Sequence, residues 1–307
     1  MNRLDAMSVL VAVAESGSLS SASRNLGIPL PTVSRKLAEL ETHLGTRLFT
    51  RSTRKLALTD AGAAYLPACK RILEQIGDAE RAASGEYLSP RGDLVVTAPI
   101  VFGRLHVLPV INEFLATYPE IDVRLVLSDR NVHLIDDRVD LAVRIGALQD
   151  SSMIATRVAS VRRVVCASPA FLARVGGAPK VPADLSKLAC ITFNSLTSSA
   201  TWSFVALGSR TETAVSIHSR LSVNTAEAAI DAAVAGVGLT RVLSYQAAKA
   251  VAESKLKIVL AKYEPDALPV NLVHLGPGLL PFKTRAFRDF VAAGLRKRAT
   301  KASLMAR

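Results

Sequence analysis

At 307 residues, 50% of them hydrophobic and 21% charged, the chain is long and apolar enough to bury two or three separate cores, which excludes a disordered or low-complexity protein. Its formal net charge of +12 points to a polyanionic partner. The three cysteines, Cys69, Cys166 and Cys190, are widely spaced with no C-x-x-C pair; this argues against a disulfide framework or a zinc site, and no cofactor is expected.

Leu4, Met7, Leu10, Val11 and Ala14 recur at helical spacing, so a first helix is expected to close a small N-terminal core with that side. The segment from Met1 to Leu19 is broken by Arg3, Asp5 and Glu15 and holds no compact apolar signal sequence. No uninterrupted run of ~18 apolar residues follows it. A cytoplasmic protein without a membrane partner is therefore expected.

From Ser18 to His43 the chain reads as two short helices joined by a tight turn. Ser18 is a good N-cap for a helix through Ala22 to Leu26, and Gly27 stops it. Pro29 and Pro31 disfavour helical geometry in the residue before each, so the second helix should start near Leu30 or Pro31. Val33, Leu37, Leu40 and Leu44 form an apolar stripe, while Thr32, Arg35, Lys36 and Glu39 lie on a polar face. A helix anchored by one side and free to read with the other is how a helix-turn-helix reads DNA, although helical domains of other kinds also contain such pairs.

After Gly45, the apolar runs Leu48-Phe49 and Leu56 to Leu58 flank the polar tip Arg51-Ser52-Thr53-Arg54-Lys55. A hairpin is expected there, projecting cations toward phosphate or a minor groove. From Arg24 to Lys55 seven cations face only Glu39 and Glu41, whereas a second basic excess from Lys283 to Arg307 reads equally as a solvated helix end. Thr59-Asp60 then caps a long helix to about Ser84. On it Tyr65, Ala68, Ile72, Gln75, Ala79 and Ala82 occupy the alternating positions of a heptad, a dimerising seam that Pro67 interrupts.

YLSPRGD, Tyr87 to Asp93, is a Pro/Gly linker. Beyond it the period changes: LVVTAP is a strand, a helix spans about Arg104 to Tyr118, and Ile121, Val123, Leu125 and Leu127 alternate as a strand. DLAVRIG, VRRVVCAS, CITF, SIHSRLSV, GLTRV and VNLVHL are further strands, with TAEAAIDAAVAG helical between two of them. Strands alternating with helices predict an α/β unit with a largely parallel sheet, and roughly 200 residues of it predict two lobes, with crossovers near Val161 to Cys166 and Asp266 to Val273.

The N-terminal motifs LDAMSVLVAVAESGSLSSASRNLGI, VSRKLAELETHLGTRLFTR and LTDAG closely resemble the winged helix-turn-helix of LysR-type transcriptional regulators, and the resemblance continues at lower strength through the chain. It implies an N-terminal all-α winged helix-turn-helix over residues 1–58, a dimerising linker helix over 59–86, and an α/β effector domain of two lobes, like periplasmic binding proteins, over 92–300. It also implies double-stranded operator DNA, a small-molecule effector, a homodimer or homotetramer, and RNA polymerase as partners. On the matching positions Thr32, Ser34, Arg35 and Lys36 would contact DNA from the reading helix, and Arg51 and Arg54 from the wing. Many family members carry Gln before the proline where this chain has Leu30, so one bidentate base contact is missing and operator preference shifts.

Ligands of α/β sheets bind at strand C-termini, where helix N-termini favour an anion or a polar group. Three junctions carry short polar groups: Thr97-Ala98-Pro99, Phe193-Asn194-Ser195, and Asn224-Thr225. By the resemblance Thr97, Ala98, Pro99, Phe193, Asn194, Asn224 and Thr225 are effector-contacting; each junction equally suits a helix cap. None of the five histidines sits in a nucleophile, metal or phosphate-loop motif, and G-x-S-x-G and H-E-x-x-H are both missing, so no enzyme is expected. A redox-sensing regulator would need Cys166 and Cys190 on neighbouring strands. An exported solute-binding module would lack the basic reading helix.

Overall fold

The computed structural model describes residues 2–51, 56–83, 89–130, 139–148, 153–193, 201–205, 212–276 and 280–305, together with Leu134 and Asp137. Two compact units divide the chain, one comprising residues 1–92 with 278–286 and the other 93–277 with 287–307.

In the first unit α1 (Arg3–Ser16), α2 (Leu19–Leu26) and α3 (Leu30–Leu44) are followed by the strands β1 (Phe49–Arg51) and β2 (Leu56–Leu58) and by α4 (Asp60–Ala83). β1 and β2 pair antiparallel, with Phe49 opposite Leu58. Ala6, Val9, Leu10 and Val13 of α1 meet Ala22, Val33, Leu37, Leu40, Leu48, Leu66 and Cys69 in one core. Of the expected face, Met7 and Leu10 lie in this core and Val11 and Ala14 pack against it half-buried, while Leu4 is exposed. α1 is apolar nearly all round, and packing against α2, α3 and α4 adds Ala6, Val9 and Val13 to that face. Leu44, at the end of α3, is likewise exposed.

α4 continues as one helix through Pro67. Leu66 and Cys69 point into its own domain, whereas Ile72 and Ala79 of the heptad seam are exposed. The linker Tyr87–Asp93 lies mostly outside the described residues.

The second unit contains two sheets. In chain order its elements are β3 (Gly92–Ala98), α5 (Ile100–Phe102), a π-helical turn at Gly103–Val107, α6 (Leu108–Thr117), β4 (Ile121–Leu127), β5 (Leu141–Ile145), β6 (Met153–Val161), β7 (Arg163–Ala167), α7 (Pro169–Arg174) and β8 (Ala189–Phe193). Then come β9 (Thr201–Val205), β10 (Glu212–Ser216), β11 (His218–Val223), α8 (Ala226–Val234), β12 (Leu239–Leu243), α9 (Ser244–Ala252), β13 (Lys257–Val259), β14 (Leu268–Leu275) and α10 (Phe282–Met305).

Lobe 1 has the strand order β4-β3-β5-β14-β6 and lobe 2 the order β11-β8-β12-β7-β13. The chain crosses between them at Arg162 and again between β13 and β14, at the two expected places. The sheets are mixed, however, and not largely parallel. β3 pairs parallel with β5, and β8 with β11 and β12, but β14 runs antiparallel to β5 and β6, and β7 antiparallel to β12 and β13. The cause is the double crossing: a strand that arrives from the other lobe enters from the opposite end, which local alternation does not reveal. Strands β6, β9, β10 and β13 were not expected from the sequence, being short or rich in polar residues.

The lobe 1 core joins Leu94, Val96, Val110, Phe114, Leu141 and Leu272 to Phe287, Val291 and Leu295 of α10. Phe114 meets Phe287 edge-on with ring centroids 4.9 Å apart, a contact worth about 0.5–1.5 kcal/mol beyond the area buried. The helical stretch Ile100–Thr117 is long and apolar enough to cross a membrane by length and composition. Here it buries Val101, Phe102, Val107, Val110, Ile111 and Phe114 in a lobe core and carries Arg104 and Glu113 on its exposed side.

Cys166 and Cys190 are not on neighbouring strands. β12 runs between them, with Thr240 opposite Cys166 and Leu239 opposite Cys190. Two strand spacings of about 4.8 Å exceed the reach of a disulfide, ~7 Å between Cα atoms. The two thiols also enter different cores on opposite sides of the sheet. Burial pushes both up to about 12 and raises Cys69 as well, so none is a thiolate at neutral pH. A chromogenic disulfide reagent is therefore expected to label the three thiols only as the protein unfolds in denaturant, and oxidant should give no intrachain disulfide by mass. Rapid labelling under native conditions would contradict this burial.

Candidate functional site

Two regions carry chemistry, one in each unit. In the first, Ser18 caps α2 by accepting the Ser21 N–H at 3.1 Å. Gly27 ends α2 at φ 64° and bonds back to the carbonyls of Ser23 and Arg24, a conformation that costs other residues a Cβ clash. α3 then starts at Leu30 with Pro at its first turn, where a missing N–H costs nothing.

Of the predicted DNA-contacting residues, Thr32, Ser34, Arg35 and Lys36 all lie on α3. Arg35 is 68% exposed and pairs with Glu39 at 3.5 Å. Lys36 is drawn back to Asp5 of α1 at 3.0 Å, and Thr32 and Ser34 are half-buried. Arg51 ends β1; Arg54 lies outside the described residues.

The hairpin is held at its base by a group that sequence reasoning missed. Glu41, on the buried side of α3 and only 7% exposed, accepts the N–H groups of Leu48 at 2.8 Å and Phe49 at 3.2 Å through Oε1. Arg47 approaches its Oε2 at 3.5 Å. On the other side Thr59 donates to the Arg47 carbonyl at 2.7 Å while accepting the Gly62 N–H at 3.0 Å. Gly62 packs so closely that a Cβ would stand 2.1 Å from the Leu48 carbonyl oxygen. A carboxylate among apolar neighbours at helical spacing was the available signal: Glu41 follows Leu40 and falls near the stripe of Val33 and Leu37.

In the second unit a cavity of about 380 Å³ opens between the lobes, within the range for small-molecule sites. Lobe 1 contributes Pro99, Ser128, Asp129 and Arg144, and lobe 2 contributes Arg163, Phe193, Arg241 and Tyr245. Arg241 lies over the Trp202 ring at 5.4 Å and donates to the Ser203 carbonyl at 3.2 Å. Burial, followed by the nearby Arg163 charge, brings its pKa down to about 10. Burial also lowers Arg144, against the opposing influence of Asp137, and raises the Tyr245 hydroxyl well above its ordinary range.

Of the predicted effector residues that are described, Pro99 and Phe193 line this cavity. Thr97 is buried within β3 and donates its hydroxyl to the Val126 carbonyl at 2.9 Å, and Ala98 is buried beside it. Thr225 caps α8 by accepting the Ala228 N–H at 3.2 Å, and Asn224 next to it is exposed. Asn194 lies outside the described residues. The cavity-lining cations share a sequence signal: Arg144, Arg163 and Arg241 each sit in a strand that is otherwise apolar apart from Thr240 of the last, LAVRI, RVVCA and LTRVL.

Across the cavity's edge, Phe102 and His106 of lobe 1 meet Tyr245 of lobe 2 edge-on, at centroid distances of 5.3 and 5.6 Å. Tyr245 thus belongs to the cavity wall and to the interlobe contact at once.

Comparison with known proteins places both regions. Residues 4–63 match the family model described as a bacterial regulatory helix-turn-helix protein of the lysR family, and residues 89–296 match that for the LysR substrate binding domain. An HTH-type transcriptional repressor of Pseudomonas aeruginosa is 34% identical over 95% of this chain and 92% of its own length. The HTH-type transcriptional activator AaeR of Escherichia coli is 30% identical over 93% and 91%. The solved structure of CrgA, a LysR-type transcriptional regulator from Neisseria meningitidis, matches with a TM-score of 0.60 at 30% identity, covering 95% of this chain and 98% of that one.

The clamp at the hairpin base yields a direct test. Glu41→Ala strands two buried donors and is expected to cost about 2–4 kcal/mol, and amide exchange at Leu48 and Phe49 should accelerate. Glu41→Gln keeps an acceptor and should lose less. Unchanged exchange in Glu41→Ala would show that the carboxylate does not hold the hairpin.

Proposed function

Because this chain belongs to the LysR family of bacterial helix-turn-helix transcriptional regulators, we propose that α3 reads operator base edges in the major groove and that a small molecule in the interlobe cavity modulates the outcome. Thr32, Ser34 and Arg35 face the bases, Lys36 supports the helix against α1 and reaches phosphate at its edge, and Arg51 and Arg54 grip the backbone or minor groove from the wing. The observation that carries this reading is Arg35. Its exposed pair with Glu39 is worth about 0.3–0.5 kcal/mol, whereas a bidentate contact to guanine is worth about 1–3 kcal/mol. The guanidinium therefore exchanges the carboxylate for a base edge when DNA arrives.

The exposed side of α4, with Ile72 and Ala79, supports a homodimer through this helix; pairing of dimers into a tetramer and contact with RNA polymerase are the further steps of the same reading. The cavity residues supporting effector binding are Pro99, Phe193, Arg144, Arg163, Arg241 and Tyr245. Thr97 and Thr225, whose hydroxyls are engaged in the fold, act in support of the cavity walls, with Ala98 and Asn224 beside them in sequence, and Asn194 follows the lining residue Phe193. Ligand contact across the lobes shifts the relative placement of paired DNA-binding units. The protein works in the cytoplasm and without catalysis.

Arg35→Ala is expected to lose about 1–3 kcal/mol on the operator and much less on random DNA, while Arg54→Ala weakens both evenly. Footprinting and titration on the two DNAs measure this, and equal losses for Arg35→Ala would place the reading face elsewhere.

Substituting Ile72→Glu and Ala79→Glu together brings like charges face to face across the proposed seam and should yield monomers in sedimentation. A double variant as dimeric as the parent would rule α4 out as the interface.

A further inference from the structure

The charge around the interlobe cavity is unbalanced. Among the described lining residues, Arg144, Arg163 and Arg241 stand against Asp129 alone. Asp129 is partly committed, since its Oδ1 accepts the Ile100 N–H at 3.0 Å. Arg241 lies opposite Val165 on the neighbouring antiparallel strand, and Leu243 opposite Arg163. The two arginines are therefore diagonal neighbours on one face of the lobe 2 sheet, roughly 7–8 Å apart at the backbone.

Their close partners do little to neutralise them. Trp202 and the Ser203 carbonyl hold Arg241 without supplying a formal negative charge, and the more distant Glu212 opposes the combined effect of burial and Arg163. Desolvated cations held near one another are costly unless something brings the counter-charge. Arg144 approaches the same cavity from lobe 1, with Asp137 as a counter-charge. Tyr245, kept protonated, offers an O–H donor on the lobe 2 side.

We propose that the ligand of this cavity is a small organic dianion with two separated acidic groups, one seated on Arg163 and Arg241 of lobe 2 and the other on Arg144 of lobe 1. The assignment rests on reading the cavity as the effector site and adds the chemistry of the effector and the way it acts. Guanidinium forks match carboxylate geometry bidentately. A molecule held at both ends ties the lobes together, whereas a monoanion engages one lobe only.

Calorimetric titration of the full chain with succinate, glutarate and adipate, with their monoamides and diamides, and with glycerol phosphate tests this. At least one dicarboxylate is expected to bind about tenfold or more tighter than its monoamide, with the diamide weaker still and affinity falling as salt rises. Arg144→Gln should bring the dicarboxylate down to the level of the monoamide. Arg163→Gln should weaken both, and Arg163→Lys should recover part of the loss if the fold is intact. Because Arg163→Gln also removes a like charge beside Arg241, its unliganded melting temperature should rise, which a purely structural arginine would not produce.

A diamide that binds as well as the diacid overturns the proposal, as does glycerol phosphate binding best with Arg144→Gln silent, since both charges would then sit at one end. Failure of every dianion overturns it too. A parallel thermal-shift library of neutral and cationic compounds separates this from the broader reading. A hit that Phe193→Ala abolishes keeps the cavity as the effector site with a different ligand class. Silence of that library as well removes the effector reading itself.

Discussion

The regulatory unit depends on the chain crossing between its lobes twice. β14 returns from lobe 2 to lie between β5 and β6, antiparallel to both, with Val270 opposite Ile145 and Leu268 opposite Val161. A strand from the far end of the sequence thus completes the lobe 1 sheet, and it places Asn271 beside Arg144. The crossings are bonded to each other: Arg162 on the first reaches Glu264 on the second at 3.1 Å, and that carboxylate is only 11% exposed. Ser244 at the head of α9 donates its N–H to the Arg162 carbonyl at 2.8 Å. Relative motion of the lobes must therefore be absorbed by these few residues, the arrangement of a hinge.

What a ligand in the cavity changes follows from the contacts near that hinge. Tyr245 is a wall residue and also touches Phe102 and His106 on the helical stretch of lobe 1. Burial and the Arg298 charge lower the His106 pKa, so this imidazole is neutral when packed between the rings. Arg104 and Glu227 add an exposed pair at 3.9 Å, worth little by itself. Aromatic packing therefore carries the interlobe contact, and a ligand that moves Tyr245 acts on it directly.

In the DNA-binding unit the corresponding constraint is the Glu41 carboxylate. It joins α3 to the hairpin, because the buried N–H groups of Leu48 and Phe49 need an acceptor and Glu41 supplies it. Thr59 and Gly62 complete the clamp from α4. α3 and the hairpin are thus held in a fixed relation, and the proposed DNA contact through both carries a reduced ordering cost.

The helices of the DNA-binding unit, their caps at Ser18, Gly27 and Thr59, the hairpin and most strands of the two lobes were legible in the sequence. Each rests on chemistry local to a few residues: a hydroxyl meeting a free amide, a glycine at positive φ, an apolar period. Even the two crossovers could be placed, from the apolar strands β7 and β14 that follow them. Strand direction could not, since β14 and β7 take their sense from where the chain re-enters a lobe. Nor could the role of Glu41, which depends on the hairpin folding back over it. The cavity was the least legible part. Thr97 and Thr225 read equally as ligand contacts or caps, and their hydroxyls engage the Val126 carbonyl and the Ala228 N–H, while Arg144, Arg163 and Arg241 looked like ordinary strand residues. They are separated by many residues along the chain, and only the pairing of β7 with β12 and the facing of the two lobes gather their charges at one place.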